Sequence, residues 1–593
     1  MARVIVIGGG IGGLTVAHEL AERGFEVHVY EARLAWGGKA RTQPVAGTGT
    51  GGRLDLPGEH GFRFYPRFYR HVIDIMARTP VGDGSEATVV SRLRPVTEAG
   101  VALINGRKMS HFGRKQSFRP AEIIEGAETM FREFGLDPGD AGLFGLKILQ
   151  FLTSSHERRL GEYEAISWWQ FLGVDGYSKT CQARADGIPR MLVAMDARVG
   201  NACTVGKTSM QLLLDYTTTG ETVDRTMGGP TSEMWIDPWI RHLEGLGVHF
   251  HAGKFCVGLD VRGDRIVGAR FAGGTVATGD QYVLAVPLEA AHALMSDELA
   301  AVDPQCARLK GAAIDTLLSW MVGIQFYLYE DVPLARGHLV FPDSPWALTA
   351  ISQPQFWTDT GGRFRRRYGN GDVGGLLSVD ISQWDNVGAY VQKQAKECTR
   401  EEIKEEVWWQ LKAALNGGPG EQVLTDDLLH SWHLDDDVDY SGGLPPQNSS
   451  RLLIHPPFSW ALRPEAASLV QNLSFASDYV RTHTDIASME AACEAGRRAA
   501  NVVLDRQRSR ADRVAIWPLA EPPDFEAWKS LDADLYRQGR AHFFETFGIR
   551  RAFEAADLIR RFAAVASVGR FDELFRQFKL GNVVGDILNF WKR

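Results

Sequence analysis

The chain has 593 residues, of which 44% are hydrophobic, so it is long enough for two or more packed domains with sizeable cores. Its formal net charge is −8, and nothing in the composition indicates the basic face that a nucleic-acid-binding protein needs, so no nucleic-acid partner is expected. Six scattered cysteines without a CxxC pair predict reduced thiols rather than a disulfide framework, a zinc site or any other metal site.

The chain enters an apolar run at residues 3–7 without a charged leader segment. No stretch of the sequence is long and apolar enough to span a bilayer. Together with reduced cysteines, these features predict a cytoplasmic protein.

The first 31 residues show the pattern of a βαβ unit. The apolar run at residues 3–7 predicts a buried parallel strand, and a glycine cluster follows it. Apolar residues then recur at helical spacing up to Ala21, and residues 26–30 alternate as a second strand. This order of elements predicts a Rossmann-like α/β fold.

The glycine cluster predicts a dinucleotide site, because GxGxxG stands in its required place between a strand and a helix. Gly8 permits the tight turn, Gly10 lets the backbone approach a pyrophosphate, and Gly13 lets helix and strand pack closely. Glu31 ends the second strand, where its carboxylate can accept hydrogen bonds from ribose hydroxyls. The predicted contacts from this unit are Gly8, Gly10, Ile11, Gly12, Gly13, Glu31 and Ala32.

A second glycine pair, followed by spaced cations, comes soon after Glu31. Gly38, Lys39 and Arg41 predict another backbone approach and a charge clamp on a pyrophosphate. This segment resembles the one that follows the ribose-binding acid in the FAD-dependent amine oxidase and phytoene desaturase superfamily. The family usually has Arg at the position of Lys39, so Arg41 is expected to contribute more of the binding. The resemblance implies FAD as the cofactor.

Residues 472–482 resemble the last FAD segment of the same superfamily. Asp478 matches the Asp that binds the ribityl chain there, and Ser477 stands where the family has Gly. A helix predicted over about residues 486–504 follows. By resemblance, its first-turn amides at Ser488 and Met489 face the flavin N1/C2=O edge and stabilise the negative charge of the reduced flavin.

The pattern of the middle of the chain predicts another α/β stretch, with a helix over residues 239–246 and strands over 248–250, 255–257, 266–269 and 281–285. The resemblance implies that this stretch closes the adenine side of the cofactor site through the backbone at Cys256. The predicted architecture is a discontinuous (GR2-type) Rossmann-like FAD-binding domain with an interleaved α+β substrate domain and a helical C-terminal extension. The FAD-binding domain comprises residues 1–75, 236–300 and 461–505, the substrate domain 76–235 and 301–460, and the extension 506–593.

Residues 56–66 fall where the superfamily backbone passes the isoalloxazine ring, which implies that Gly58, Glu59 and His60 contact the flavin. Glu59 and His60 are the best candidates for acid–base catalysis, since His shuttles protons near neutral pH and a buried Glu can be tuned upward. The alternative is that only the backbone of these two residues touches the flavin.

Residues 229–239, 343–349 and 377–382 resemble the bacterial phytoene-dehydrogenase-like and hydroxysqualene-dehydroxylase-like branch, which includes polyene-cyclising enzymes of secondary metabolism such as those building polycyclic tetramate macrolactams. The resemblance implies hydride transfer between flavin N5 and a lipophilic conjugated polyene or isoprenoid, by desaturation, isomerisation or reductive cyclisation, as in a carotenoid-like pathway. An amine or amino-acid oxidase and a catalytically silent flavin-binding protein remain as alternatives.

Aromatic and arginine residues interleave over residues 543–591, which predicts amphipathic helices. One interpretation is a peripheral membrane contact for entry of a lipophilic substrate. The other is a helical cap or an oligomer contact, and the sequence leaves the oligomeric state open.

Overall fold

A computed structural model describes residues 1–82, 84–104, 108–113, 147–193, 195–217, 224–332, 334–359, 364–416, 422–521 and 523–546. Its strands are β1 (Arg3–Ile7), β2 (Glu26–Tyr30), β3 (Thr42–Val45), β4 (Leu56–Glu59), β5 (Phe64–Tyr65), β6 (Leu93–Val96), β7 (Glu98–Leu103), β8 (Lys108–Gly113), β9 (Asp224–Met227), β10 (His249–His251), β11 (Cys256–Arg262), β12 (Arg265–Phe271), β13 (Val276–Ala277), β14 (Gln281–Leu284), β15 (Leu318–Ser319), β16 (Val322–Leu328), β17 (Gly337–Val340), β18 (Leu348–Ser352), β19 (Gly375–Ile381), β20 (Leu429–Leu434), β21 (Val438–Asp439), β22 (Gln447–Asn448), β23 (Leu452–Leu453) and β24 (Leu473–Phe475).

Its α-helices are α1 (Ile11–Ala21), α2 (His71–Arg78), α3 (His156–Gly161), α4 (Trp168–Leu172), α5 (Lys179–Val193), α6 (Ala202–Thr217), α7 (Asp237–Gly245), α8 (Leu288–Leu294), α9 (Asp297–Val302), α10 (Pro304–Gly311), α11 (Phe364–Arg367), α12 (Arg400–Leu415), α13 (Ser459–Leu462), α14 (Met489–Arg506), α15 (Glu526–Arg537) and α16 (Phe543–Thr546).

A parallel sheet in the order β10-β2-β1-β14-β24 carries the Rossmann-like fold. Its strands come from the beginning, the middle and the end of the described chain. Strand β1 alternates between two cores, because Val4 and Val6 pack on one face of the sheet while Ile5 and Ile7 pack on the other. Both faces are covered, as a parallel sheet requires. The predicted α/β fold and the predicted strands β1 and β2 are confirmed.

The helix predicted over about residues 486–504 begins later than the sequence pattern indicated. Helix α14 begins at Met489, three residues after the predicted start. Asp485 has a φ of 52°, in the left-handed region that interrupts a right-handed helix, and Ser488 is the extended N-cap residue. The apolar spacing continues across both residues, so periodicity alone could not locate this boundary.

A second, seven-stranded sheet runs in the order β20-β16-β19-β18-β17-β7-β8, antiparallel except at the β17–β7 pair. One face packs its aliphatic residues against α12. The opposite face is crossed by β4, since the Gly323 amide donates to the His60 carbonyl at 2.7 Å and the Tyr327 hydroxyl donates to the Pro57 carbonyl at 3.0 Å. This crossing brings the predicted flavin-contacting turn onto the second sheet. The domain boundaries proposed from the sequence stay a prediction.

The described part of the C-terminal extension packs on the body of the protein. Asn501 exchanges two hydrogen bonds with the Val514 backbone, and Asp532 on α15 accepts a buried hydrogen bond of 2.8 Å from Arg158 on α3. Residues 547–593, which hold most of the predicted amphipathic helices, lie outside the described residues. Within the described ranges, no helix has the length and apolar character needed to cross a bilayer. The peripheral membrane contact stays a prediction.

Candidate functional site

The glycines of the first loop have two different structural roles. A Cβ atom added at Gly8, whose φ is +111°, would lie 2.3 Å from the Ala285 carbonyl oxygen, and one at Gly13 would lie 1.9 Å from the Gly8 oxygen. A Cβ at Gly10 would meet nothing nearer than the Gly38 Cα at 3.8 Å. Gly8 and Gly13 therefore allow close packing, whereas Gly10 leaves a space at the N-terminus of α1. A phosphate group fits that space, because the helix amides and dipole face it.

The second glycine pair lies directly beside the first loop. The Gly37 amide donates to the Gly9 carbonyl at 2.9 Å. The Arg41 guanidinium donates to the Gly38 carbonyl at 2.9 Å and to Asp437 at 3.1 Å. The Lys39 ammonium donates to the carbonyl of Arg451. Both predicted clamp cations thus have protein partners, and their contact with the pyrophosphate stays a prediction.

Glu31 is fixed at the end of β2, and Ala32 beside it is exposed. The Glu31 carboxylate accepts the Gly9 amide at 2.7 Å and the Arg33 amide at 2.9 Å. A carboxylate has about four acceptor positions, so two remain for ribose hydroxyls. The half-buried Cys256 begins β11 nearby, and the Lys254 amide just before it donates to the Glu31 carbonyl at 2.7 Å.

The last predicted FAD segment meets the first one. A Cβ at Gly12 would lie 2.0 Å from the Ala476 carbonyl oxygen, so α1 directly contacts the chain that follows β24. Asp478 follows there, half-buried, and accepts the Ser477 hydroxyl at 3.2 Å. Ser488 caps α14 by accepting the Ala491 amide at 3.1 Å.

A dinucleotide fits this arrangement. The open Gly10 position, the Glu31 carboxylate, Asp478 and two helix N-termini gather at the carboxyl edge of the parallel sheet, where such cofactors bind.

Glu59 is held entirely by protein donors. Its buried carboxylate accepts the Thr42 hydroxyl at 2.8 Å, the Thr231 amide at 3.0 Å and the Thr231 hydroxyl at 3.2 Å. Burial raises the pKa of Glu59, against the opposing charge of Arg63. The carboxylate ties β4 to β3 and to residue 231. This arrangement favours the alternative in which only the Glu59 backbone serves the flavin.

His60 is oriented by a carboxylate that the sequence patterns did not reveal. Its Nδ1 lies 2.6 Å from Asp435 Oδ2, and the fully buried Asp435 also accepts the Gln43 amide nitrogen at 3.1 Å and the Asp437 backbone amide at 2.7 Å. Burial would raise the pKa of Asp435, but His60 and these donors hold it far below its usual range. In a neutral imidazole, this contact with the ionised Asp435 favours the tautomer with its proton on Nδ1 and leaves Nε2 as the acceptor nitrogen. The signal available in the sequence was the acidic run after β20.

A polar patch covers part of the sheet face beneath this turn. His433, Gln325 and Ser378 are neighbours across the adjacent strands β20, β16 and β19. Two residues further along β19, Asp380 pairs with Thr349 on β18. All five side chains are buried. Each has one polar atom that finds no hydrogen-bond partner among the described residues. Such atoms also occur elsewhere among the described residues, but these five lie together on one face of the sheet, where a bound group could supply their partners.

Two glycines of the turn make room for this patch. A Cβ at Gly58 would lie 2.6 Å from the His433 ring, and one at Gly61 would lie 2.6 Å from Asp380 Oδ1. Burial raises the pKa of Asp380 to about 7. Beyond the patch the same sheet face is apolar, where a cluster of buried residues surrounds Tyr327 and Leu376 and includes Trp357. The patch was not predicted, because its members come from four strands.

Comparison with protein families matches two parts of the chain. Residues 193–504 match the model of flavin containing amine oxidoreductases, and residues 6–79 match that of an NAD(P)-binding Rossmann-like domain. A carotenoid phi-ring synthase from Chlorobaculum tepidum is 31% identical over 122 residues. That segment spans 21% of this chain and only 17% of the length of the relative.

Several solved structures share the fold. Cyclohexylamine oxidase from Brevibacterium oxydans aligns with a TM-score of 0.56 at 15% identity, over 86% of this chain and 99% of that one. Putrescine oxidase bound to putrescine aligns with a TM-score of 0.55 at 14% identity, over 85% and 99%. An oxidoreductase from Methanosarcina mazei gives 0.52 at 14% identity, over 85% and 100%. At these identities the likeness is one of fold.

Proposed function

Since the chain belongs to the flavin containing amine oxidoreductase family and is an FAD-dependent oxidoreductase, we propose that it transfers hydride between its flavin and a lipophilic conjugated polyene or isoprenoid. The reaction is a desaturation, an isomerisation or a reductive cyclisation in secondary metabolism. Bound FAD supplies the two-electron acceptor or donor for this chemistry. The local similarity to a carotenoid phi-ring synthase supports the substrate class.

The observation that carries this proposal is the aromatic cluster beside the turn that is predicted to contact the flavin. Leu56 at the start of β4 belongs to a buried cluster with Tyr327, Trp357 and Phe364, and the half-buried Phe62 and Phe64 pack against it. Phe62 and Phe64 follow Gly61 closely in the chain. The cluster lies on the same side of the seven-stranded sheet as the turn of residues 58–61. Aromatic side chains bury large areas and suit the faces of a conjugated chain. A packed apolar cluster beside the turn would also help to exclude water from a hydride transfer at the flavin.

His60 provides the proton-transfer group for this reaction. A desaturation removes one hydride and one proton from adjacent carbons, so the site needs a base as well as the flavin. In the neutral imidazole, the 2.6 Å contact between Nδ1 and Asp435 leaves Nε2 of His60 available to accept that proton. In a reductive cyclisation the protonated nitrogen of His60 would supply the proton, and the hydride would come from a flavin already reduced by an external two-electron donor.

Anaerobic mixing of the holoenzyme with candidate substrates tests the proposal. We expect a conjugated polyene or linear isoprenoid to bleach the flavin absorbance or to be converted without net bleaching, and simple amines to do neither. A parallel turnover under labelled oxygen should leave the product without label. Bleaching by amines alone would contradict the substrate class, and labelled product would contradict a hydride-only reaction.

An amine oxidase is the second candidate, because the structure offers one buried carboxylate suited to an ammonium group. Asp380 Oδ1 has no donor within the described ranges, and it lies against Gly61. The fold-level likeness to cyclohexylamine oxidase and putrescine oxidase agrees with this alternative. Peroxide formed from added amines in air would establish it, and Asp380→Asn should then weaken amine binding.

A further inference from the structure

A buried cluster of charges lies at the loop that joins Asp478 to the capping residue Ser488. Asp485 in this loop is 1% exposed. Its Oδ2 accepts the Lys207 ammonium at 2.9 Å and the Thr204 hydroxyl at 3.2 Å, and its Oδ1 accepts the Arg463 guanidinium. Burial would raise the pKa of Asp485, but the charges of Lys207 and Arg463 hold it below its usual value. The cluster is therefore ionised at neutral pH.

Arg463 reaches the beginning of the loop as well as its end. Besides Asp485, its guanidinium donates to the carbonyls of Tyr479 at 3.2 Å and Val480 at 2.8 Å. Lys207 comes from α6, which packs in a different core and belongs to the predicted substrate domain. The two cations thus fix both ends of the loop and connect it to the other half of the molecule.

The backbone of Asp485 shows why the loop needs this support. Its φ of 52° is left-handed, which is uncommon for a residue other than glycine and is found at ligand-binding turns. A buried ion pair contributes little net stability, because desolvation offsets the attraction between its charges. Folding alone therefore does not account for two cations and an anion here, and the proposed acid–base chemistry at His60 does not use them.

We propose that Lys207 and Arg463 act through Asp485 as positioning residues that hold the FAD-binding loop, and that the charges of this cluster set the reduction potential of the bound flavin. The proposal rests on the FAD-binding role of the loop and not on the identity of the substrate. A reduced flavin carries more negative charge than an oxidised one. A nearby cation therefore favours reduction and a nearby anion opposes it.

Opposite charge changes at the same contact separate this role from a purely structural one. We would measure the flavin midpoint potential by dye equilibration, without substrate, in Lys207→Gln, Asp485→Asn and the double variant. Lys207→Gln should lower the potential and Asp485→Asn should raise it. The double variant should return close to the wild-type value. Asn suits the position because it tolerates a left-handed φ.

Thr204→Val is the matched control, since it removes a hydrogen bond to the same Asp485 oxygen without a change of charge. Its potential should equal that of the wild type. FAD affinity, measured by fluorescence, should fall several-fold in both single charge variants because the loop loses its clamp. If Lys207→Gln does not fold, Lys207→Arg should keep the wild-type potential while Asp485→Asn raises it. Shifts of the same sign in both charge variants, or no shift in either, would overturn the proposal.

Discussion

The parallel sheet and the seven-stranded sheet build their functional surfaces in opposite ways. At the parallel sheet the contacts are made by backbone, and the Gly9 amide donates to Glu31 only 22 residues further along the chain. At the seven-stranded sheet the contacts are made by side chains, and 375 residues separate His60 from Asp435. Backbone sites depend on the absence of side chains, whereas side-chain sites depend on partners gathered from several strands.

The two surfaces also differ in how well their carboxylates are satisfied. Glu31 accepts two backbone amides, while no donor among the described residues reaches Oδ1 of the buried Asp380. An unsatisfied buried group opposes folding. In the absence of a bound partner, the Asp380 carboxylate thus carries a free-energy cost that the Glu31 carboxylate does not.

The largest effect should come from the glycine that the cofactor needs but the fold does not. Gly10→Val fills the space at the N-terminus of α1, whose backbone φ of −80° accepts any residue. We expect the variant to fold but to lose FAD affinity by about a hundredfold or more, about 3 kcal/mol, because the phosphate is displaced. FAD content after purification and circular dichroism check this. Gly13→Ala, which would clash with Gly8, should instead fail to fold. Loss of folding in both variants would contradict the separate roles assigned to Gly10 and Gly13.

A large effect on the reaction rate should come from the hydrogen-bonded pair of His60 and Asp435. His60→Ala should slow the substrate-dependent flavin reaction by roughly a hundredfold, since a positioned general base contributes about that much. Asp435→Asn should lower the rate by at least about tenfold without loss of FAD, because Nδ1 of His60 loses its acceptor. Stopped-flow absorbance measures both. Asp436→Asn, an exposed neighbour, is the control and should react at the wild-type rate.

The sequence predicted the backbone-made surface far better than the side-chain-made one. Gly8, Gly10, Gly13 and Glu31 form a local motif whose physical roles can be assigned without a structure. His60 was placed at the flavin by resemblance, but Asp435 sits in an ordinary acidic run, and only the crossing of β4 over the sheet brings the two together. Thr349, Ser378 and Asp380 of the polar patch lie in segments that the resemblance singled out, but their assembly with Gln325 and His433 was not predicted, because strand order is not deduced from strand pattern.

A smaller effect on cofactor binding should follow from Glu31→Gln. The substitution keeps the side-chain size but replaces a charged acceptor with a neutral one, so hydrogen bonds to ribose hydroxyls weaken by roughly 1–3 kcal/mol in total. FAD titration of the apoprotein measures the change. Glu26→Gln, on the same strand, should bind FAD like the wild type. Unchanged affinity in Glu31→Gln would show that the backbone amides alone hold the adenosine.

The smallest effect concerns stability and tests the free-energy cost assigned to Asp380. Burial raises the pKa of Asp380 from 3.8 to about 7, so the folded protein keeps a proton there that the unfolded chain has already released. The contribution of this group to stability is complete below the unfolded pKa and is lost as the pH rises through about 7.

Asp380→Asn removes this dependence. Between about pH 5.5 and about pH 8 the wild type should therefore lose about 1–2 kcal/mol more unfolding free energy than the variant. Urea denaturation of the holoenzyme at both pH values measures this difference, and all other titrating groups cancel between the two proteins. The exposed Asp436→Asn should follow the wild type at both pH values. Parallel pH profiles for wild type and Asp380→Asn would mean that Asp380 finds a donor in solution, and the contrast between the two surfaces would then rest on geometry alone.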